Sequence, residues 1–401
     1  MKISTLQAAS IDSRIVKQVR AHPGISRSLL ARKLQIAPST VSNYTERLIL
    51  EGFLSESEKQ ARQTGRPPTS LRLNPEGGQF IGVDFEARNI MAMAVDFSDT
   101  PLRQVHKDIE QADSVPQIIQ KIEQAISEVL PDDPVKLLGI GIGVPGLVDP
   151  ARGLAVHYRY INDWRDVALV APLAERFGVP VYLENNARSM ALAELWFGQG
   201  RGLRNWLCIS IRSGIGAGII AGGELQRGAN DRAGEIGRWR CPESSRRAAG
   251  FFTDPDSPGL SGRELQEVAS VRAVLRAVER ARTAGEKSLL FSRPGPVNLA
   301  DVMHAARQRD RLTLQIIEVA AEILGSAVAE LVFTLNPSQV ILAGPVTLLG
   351  DILLRPLRER AQEILEASGG DVPEIVNSTM GEYSGALGAA ALAVQEWKPT
   401  R

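Results

Sequence analysis

The sequence predicts an α/β protein whose body has two lobes and is preceded by a small, mainly helical head. Two observations predict the body: buried apolar strands end in glycine-rich turns, and amphipathic helices alternate with these strands. A third observation sets the head apart. Residues 1–76 hold 12 basic and 6 acidic side chains, whereas residues 77–401 hold 34 basic and 40 acidic ones. The zero net charge of the chain therefore hides a basic head on an acidic body.

Composition excludes several classes of protein. The chain has 401 residues, of which 44% are hydrophobic, enough for roughly two to four domains with their own cores. Its two cysteines, Cys208 and Cys241, exclude a disulfide framework and a zinc site built from several cysteines. The most apolar segment, 319–335, is interrupted by Glu322 and Glu330, so we expect no membrane span. Charged side chains near the N-terminus also break any signal-peptide pattern, which predicts a cytoplasmic location.

Three short helices and a hairpin are predicted in the head. Apolar residues recur at helical spacing from Ile11, and further helices begin at Ser26, a suitable N-cap, and near Pro38. Two short apolar runs, 53–54 and 71–73, follow and are separated by a polar segment. Three helices followed by a hairpin are typical of a winged helix-turn-helix domain, which binds DNA.

The third helix is the candidate for the major groove. Hydroxyls at a helix N-terminus suit phosphate oxygens, an asparagine can pair with adenine, and an arginine can contact guanine or a phosphate. The predicted DNA-contacting side chains on this helix are Ser39, Thr40, Ser42, Asn43 and Arg47. The alternative is a helical protein-interaction module with a solvated polar face.

A second DNA-binding signal is the segment Gly65-Arg66-Pro67-Pro68. Proline keeps this backbone extended and glycine permits a close approach, so Arg66 can enter a narrow minor groove. The same composition also suits a stiff linker between domains. The two interpretations are compatible, and both stay open.

The body contains two similar series of strands and helices. Strands are predicted at 80–84, 90–96, 137–144, 179–183 and 207–211, with helices at 115–130 and from 187 to 195. Glycine-rich turns at 145–149 and 214–218 follow two of the strands, where α/β folds bind ligands. This arrangement fits an actin-like or sugar-kinase-like fold with ribonuclease H-like lobes. We assign 1–76 to the head with its linker, 77–190 plus 385–401 to the first lobe, and 191–384 to the second lobe.

The order and spacing of several short motifs resemble the ROK family, which comprises repressors, open reading frames and sugar kinases. The resemblance covers essentially the whole chain, including the head. It is carried by residues 39–42, 65–68, 141–149, 184–188, 191–194, 214–218, 233–237 and 385–390.

The chain departs from the kinases of this family at positions that the resemblance makes catalytic. Asn186 stands where the kinases have an aspartate general base, and an amide cannot accept the proton of a sugar hydroxyl. Glu86 and the segment 212–214 replace residues of two phosphate-binding turns, and 343–345 replaces a glycine pair near the adenosine. A carboxylate beside phosphate oxygens is repulsive. We therefore expect no enzymatic activity and no ATP binding.

The zinc motif of the family is also incomplete. The resemblance implies a histidine after Gly237 and several cysteines beyond it, whereas the chain has Arg238 and, of these cysteines, only Cys241. One cysteine cannot complete a tetrahedral site, so we expect no zinc.

The expected ligand site combines the backbone at Gly146 with Asn185, Asn186, Glu235 and Arg238. Carboxamides and a carboxylate suit the hydroxyls of a sugar, and Arg238 suits an anionic derivative. Two structural interpretations compete with this. Asn185 and Asn186 follow a strand, where ordinary turn chemistry uses asparagine, and Arg238 can pair with Glu235.

These observations predict a DNA-binding transcriptional regulator, a repressor, which senses a sugar or sugar derivative through a kinase fold without catalysis. The alternatives are a sugar kinase that carries a DNA-binding head, and a DNA-binding protein that responds to no ligand. The expected partners are double-stranded operator DNA, the effector and further copies of the chain. A homodimer or homotetramer would pair two heads on a palindromic site, with 263–282 and 312–335 as candidate dimer helices.

Overall fold

The computed structural model describes residues 11–58, 69–241, 251–252 and 262–399. The head contains α1 (Ile11–Ala21), α2 (Arg27–Leu34), α3 (Pro38–Leu50) and a hairpin of β1 (Leu54–Glu58) and β2 (Thr69–Leu73). Ser26 caps α2 by accepting a hydrogen bond from the Leu29 amide, as expected for its type. The predicted order of three helices and a wing is confirmed.

The first lobe is built on a five-stranded sheet with strand order β10-β6-β3-β4-β5. Helices α4 (Val115–Glu128) and α5 (Val170–Phe177) pack on this sheet and complete its core. Its strands are β3 (Gln79–Phe85), β4 (Asn89–Asp96), β5 (Pro101–Asp108), β6 (Leu137–Val144) and β10 (Val181–Asn185). The sequence did not predict β5, because only alternate residues of this edge strand are partly buried and its apolar signal is weak.

The second lobe repeats the same topology, with strand order β13-β12-β11-β14-β15. In each sheet an antiparallel meander of three strands is extended by two parallel strands, which confirms the predicted two-lobed kinase-like fold. The strands are β11 (Trp206–Ile211), β12 (Ile215–Ala221), β13 (Glu224–Gln226), β14 (Gln339–Ala343) and β15 (Glu374–Asn377). Its helices are α7 (Leu265–Ala269), α8 (Val271–Thr283), α9 (Leu299–Arg307), α10 (Arg311–Leu335) and α11 (Asp351–Ala367).

Two helices join the lobes. α6 (Asn186–Trp196) and α12 (Ser384–Glu396) pack on each other between the sheets, α12 against β3 and β6 and α6 against β11 and β12. A small sheet of β7 (Leu147–Asp149), β8 (Leu154–His157) and β9 (Arg165–Ala168) extends from the first lobe. No helix among the described residues is long and apolar enough to cross a bilayer.

One predicted turn is mainly a strand. The segment 214–218 was expected to be a glycine-rich turn, but the reversal ends at Gly214 and β12 continues to Ala221. Gly216 and Gly218 lie inside this strand, where a Cβ atom on Gly218 would collide with the side chain of Ala191 in α6. These glycines therefore serve close packing of a strand on a helix and not turn formation.

The head and the first lobe share one hydrophobic core. Phe53 of the head packs against Phe97 and Trp397 of the body, with ring centroids 5.2 Å and 4.7 Å apart. Beside these rings, the Arg20 guanidinium donates to Asp99 over 2.8 Å and to the carbonyl of Phe97. Side chains of α1, α12 and the first sheet complete this junction. The head is therefore packed against the body as well as linked to it through the chain.

Candidate functional site

The candidate DNA-binding face of the head is the outer side of α3. Ser39 and Asn43 are exposed, and Thr40 and Ser42 are partly exposed at the start of the helix. The predicted third-helix residues therefore lie together on one surface, apart from the core positions Val41 and Leu48.

Arg47 lies at the far end of this face and is bound within the head. Its guanidinium forms an ion pair with Asp12 of α1 and lies 3.8 Å from Glu51, and it stacks on Tyr44. These carboxylates compete with a DNA phosphate for the same charge, so a DNA contact by Arg47 requires it to leave Asp12. Arg66 and the rest of the Gly-Arg-Pro segment lie outside the described residues.

The second candidate site is a cleft between the two lobes, with about 590 Å³ of space that includes its opening to solvent. It opens at the carboxyl ends of β3, β6, β10 and β11, where the fold predicts ligand binding. All five predicted ligand-site residues line it: Gly146, Asn185, Asn186, Glu235 and Arg238.

Asn185 shapes this cleft through three structural hydrogen bonds. Its Oδ1 accepts from the amides of Ala187 and Arg188 and so caps α6, while its Nδ2 donates to the Gly146 carbonyl over 2.9 Å. Asn185 therefore has the structural role in the turn after β10 that the sequence offered as the alternative to ligand binding. Gly146 has φ +78 and would bring a Cβ atom against the His157 carbonyl, so the turn that Asn185 holds requires glycine.

Asn186 is in a different position. It is the first residue of α6 and lines the cleft, and its side chain makes no hydrogen bond to any of the described residues. An amide in a cleft with free donors and acceptors suits a sugar hydroxyl. Of the two asparagines, Asn186 is therefore the one whose side chain is available to a ligand.

Glu235 and Arg238 form an ion pair on the second-lobe side of the cleft. The Arg238 Nε lies 3.3 Å from Glu235 Oε2, and the side chain of Arg238 is 42% exposed. The predicted structural pairing is therefore present, and both groups still line the cleft. An exposed pair of this kind is weak, so a ligand can replace either partner.

A buried ion-pair network fixes the loop that carries Glu235. Glu184 is fully buried and accepts from Arg188 Nε over 2.6 Å and from Arg227 Nε over 2.7 Å. Arg188 Nη1 also donates to the carbonyls of Asp231 and Ala233. Arg188 does not line the cleft, and its contacts hold this loop in place.

At the base of the cleft, three charged groups form what we call the inter-lobe ion cluster: Asp84, Glu86 and Arg212. Arg212 Nη1 lies 2.7 Å from Asp84 and its Nε 3.4 Å from Glu86, whose Oε1 accepts from the Ser213 amide over 2.6 Å. Burial raises the pKa of Asp84 to about 6, with Arg212 opposing and Glu86 adding to the effect. Although burial lowers the pKa of Arg212, the two carboxylates outweigh it and raise that pKa.

Several lining residues were missed by the sequence interpretation. His157 ends β8, and together with the next three residues, Tyr158, Arg159 and Tyr160, it forms one wall of the cleft, with Gln266 opposite. A run of four aromatic and polar residues after a short apolar segment was the available signal. It was too weak to use, because β8 has only four residues and lies in a small three-stranded extension of the first lobe.

Neither cysteine nor histidine forms a metal site in the part of the chain that the structure describes, where no group of three or more potential ligands is arranged to hold an ion. Cys208 lies fully buried on β11, and burial raises its pKa well above the usual value. Burial, with Glu267 nearby, raises the pKa of Cys241 to about 11. The expectation that the chain takes no zinc stays a prediction.

The candidate dimer helices are largely occupied within the protomer. Most apolar residues of α10 are buried against its own lobe, including Ile316, Leu324 and Val328. Phe333 and Leu335, at the end of α10, are exposed. An apolar contact with a second copy through this helix would therefore use its C-terminal end.

A winged helix-turn-helix head on a two-lobed sugar-kinase-like body defines a class of DNA-binding regulators. Residues 80–396 match the ROK family and residues 9–55 match the winged helix-turn-helix DNA-binding domain, so the chain belongs to the ROK family. It is 29% identical to a xylose repressor of Caldicellulosiruptor bescii over 86% of this chain and 85% of that one. It is 32% identical to a glucokinase of Thermotoga maritima over 78% of this chain and 96% of that one.

Among solved structures, the fold is similar to that of a ROK family transcriptional regulator described as a homologue of the Escherichia coli MLC protein. The TM-score is 0.76 with 24% sequence identity, and 96% of each chain is covered. This similarity shows that the arrangement of head and body belongs to a known fold.

Proposed function

We propose that the chain is a transcriptional repressor that binds double-stranded operator DNA through its head and responds to a sugar or sugar derivative in the cleft. The observation that carries this proposal is the shared core of the head and the cleft-bearing lobe, centred on Phe53, Phe97 and Trp397. A packed junction gives a change in the body a physical route to the head. The relative named as a xylose repressor supports a sugar as the class of effector.

We further propose that the cleft binds its ligand without phosphorylating it. Asn186 offers an amide where the family resemblance requires a general base, and an amide cannot take up a proton at neutral pH. Glu86 and Arg212 neutralise each other in the turns that the resemblance assigns to phosphate binding. Neither ATP nor zinc is then needed. The rival function is a sugar kinase with a DNA-binding head, which the glucokinase relative favours.

We also propose that the functional unit is a homodimer or a larger homo-oligomer. A single winged head covers a small stretch of DNA, and a palindromic operator engages two heads related by symmetry. Sedimentation equilibrium of the full chain measures this directly. A monomer at micromolar concentration, unchanged when operator DNA is added, would contradict it.

The test of function uses DNA fragments selected from genomic DNA by the full-length protein. Fluorescence anisotropy at fixed moderate salt then measures affinity for a selected fragment with and without each member of a panel of pentoses, hexoses, their phosphates and acids. We expect one class of sugar to weaken binding. A parallel coupled assay for ATP-dependent phosphorylation decides against the rival if no sugar is turned over. Selection of no fragment, or turnover of a sugar at ordinary kinase rates, would overturn the proposal.

A further inference from the structure

The inter-lobe ion cluster lies where the two lobes meet and where the first turn of α12 begins. Asp84 lies near the end of β3 and Glu86 directly follows that strand in the first lobe, while Arg212 follows β11 in the second. Asp84 packs so closely against Gly385 in α12 that no Cβ atom would fit there. One set of charges therefore contacts both lobes and the start of a helix.

The other end of α12 reaches the head. This helix has 13 residues, or about 20 Å at 1.5 Å per residue, and Trp397 follows it directly. Trp397 packs on Phe53 of the head, and its carbonyl accepts a hydrogen bond from Ser13 of α1. Eleven residues of α12 are buried, so the helix moves only with what surrounds it.

A second inter-lobe ion pair provides a comparison. At the mouth of the cleft, Arg159 of the first lobe lies 2.8 Å from Glu264 of the second. This pair also holds the lobes together, but it is remote in the sequence from α12 and makes no described contact with Gly385. Both ion contacts join the lobes, but the cluster is more deeply buried and contacts α12 at Gly385.

We propose that the inter-lobe ion cluster couples the closure of the two lobes to the DNA-binding head through α12. Glu86 acts as an internal anionic ligand: its carboxylate occupies the position formed by the Ser213 amide and Arg212, and so holds the lobes together. When the lobes separate, Arg212 leaves Asp84, the support at Gly385 changes, and α12 passes the shift to Trp397 and the head. This coupling rests on the proposed function only for its biological role, because the coupling itself can be measured without DNA or sugar.

The test is amide hydrogen exchange of the full chain, measured by mass spectrometry in Glu86→Ala, without DNA or sugar. We expect roughly tenfold faster exchange in the peptide with the 212–214 turn, because a partly buried ion pair is lost. The separate peptides that contain Phe53 or Phe97 should show the same acceleration. Acetate fits the space left by the missing carboxylate and should slow both again, whereas chloride at equal ionic strength should not.

Arg159→Ala is the matched control. It removes a more exposed inter-lobe ion pair, with Arg159 at 35% exposure against 9% for Arg212, and should leave exchange at Phe53 and Phe97 at the wild-type rate. If Glu86→Ala fails to fold, Glu86→Gln retains the acceptor for Ser213 and should show the same acceleration to a smaller degree. Unchanged exchange at Phe53 and Phe97 in the Glu86 variant, or equal acceleration there in Arg159→Ala, would overturn the route through α12. Operator binding is measured in a separate experiment, so the proposed function and this coupling can each fail without the other.

Discussion

Arg20 of the head is ion-paired with Asp99 of the body over 2.8 Å, and both side chains are nearly buried. Arg20 also lies over the rings of Phe97 and Trp196, at 5.5 Å and 5.7 Å from their centroids. This single side chain therefore connects α1 to two separate elements of the body. It is the charged part of a junction that is otherwise mainly hydrophobic.

Replacing Arg20 with alanine should destabilise this junction. Asp99 would remain buried without its partner, which costs about 3–5 kcal/mol when one member of a buried pair is removed. We expect a lower midpoint of urea unfolding and faster proteolysis between the head and the body. Arg355→Ala, on an exposed part of α11, is the control and should change the midpoint by less than about 0.5 kcal/mol. Equal midpoints for the two variants would contradict the structural role of Arg20.

The same pair predicts a pH dependence of stability. Burial raises the pKa of Asp99 to about 6, although Arg20 opposes this, and Asp96 adds to it. A carboxyl with a higher pKa in the folded chain binds its proton more tightly there, so the free energy of unfolding falls as pH rises from about 4 to about 6.

Asp99→Asn removes this titration, so its free energy of unfolding should rise relative to that of wild type as the pH increases across that range. This relative rise in the free energy of unfolding is about 1.4 kcal/mol for each unit by which folding raises the pKa of Asp99. It should be constant above about pH 7. Urea unfolding of both proteins at a series of pH values measures it. A difference between the two that does not change from about pH 4 to about pH 7 would show that the pKa of Asp99 is not raised.

Most of the fold could be predicted because apolar periodicity and turn residues report directly on backbone conformation. The strand 137–144 and the helix that starts at Pro38 coincide with their predicted positions. The edge strand β5 and the glycines inside β12 could not be predicted. An edge strand buries little, and a glycine placed for contact with a helix looks like a turn glycine until its neighbour is known.

The two asparagines of the cleft should behave differently when each is replaced by alanine. Asn185→Ala removes the cap of α6 and the bond to the Gly146 carbonyl, so we expect a loss of stability of about 1 kcal/mol. Asn186→Ala should leave thermal stability near that of wild type but reduce the stabilisation that a bound sugar gives. Thermal shift with a sugar panel measures both effects. A normal ligand shift in Asn186→Ala would remove this residue from the site.

The sequence could name the residues of the cleft but not divide their roles. Asn185 and Asn186 are chemically identical neighbours, and only their place relative to the first turn of α6 separates a capping side chain from a free one. Likewise, the sequence predicts that Glu86 repels a phosphate, but it does not show that Arg212 lies 3.4 Å from this carboxylate. The ion contacts between the two lobes join residues more than 100 positions apart, so local sequence patterns do not indicate them.

Substitutions at two head residues should distinguish sequence-specific recognition from general electrostatic attraction to DNA. Asn43 is exposed on α3 and suits a base contact, so Asn43→Ala should cost about 1–3 kcal/mol and relax specificity at one base pair. Arg66→Ala should also weaken binding, through the minor groove. Anisotropy titrations with a selected fragment and with single-base variants of it measure both. Wild-type affinity in both variants at fixed salt would contradict the predicted DNA-binding surface.

The contact between Gly218 and Ala191 gives the last prediction, which concerns how firmly α6 is seated on the second sheet. A Cβ atom on Gly218 would overlap that of Ala191, so Gly218→Ala should cost about 1–3 kcal/mol by overpacking. Adding Ala191→Gly restores the space, so the double variant should be more stable than the sum of the single changes predicts. Gly370→Ala, where a Cβ meets only ordinary contacts, is the control. Urea unfolding measures the cycle, and strict additivity would show that α6 and β12 adjust freely to one another.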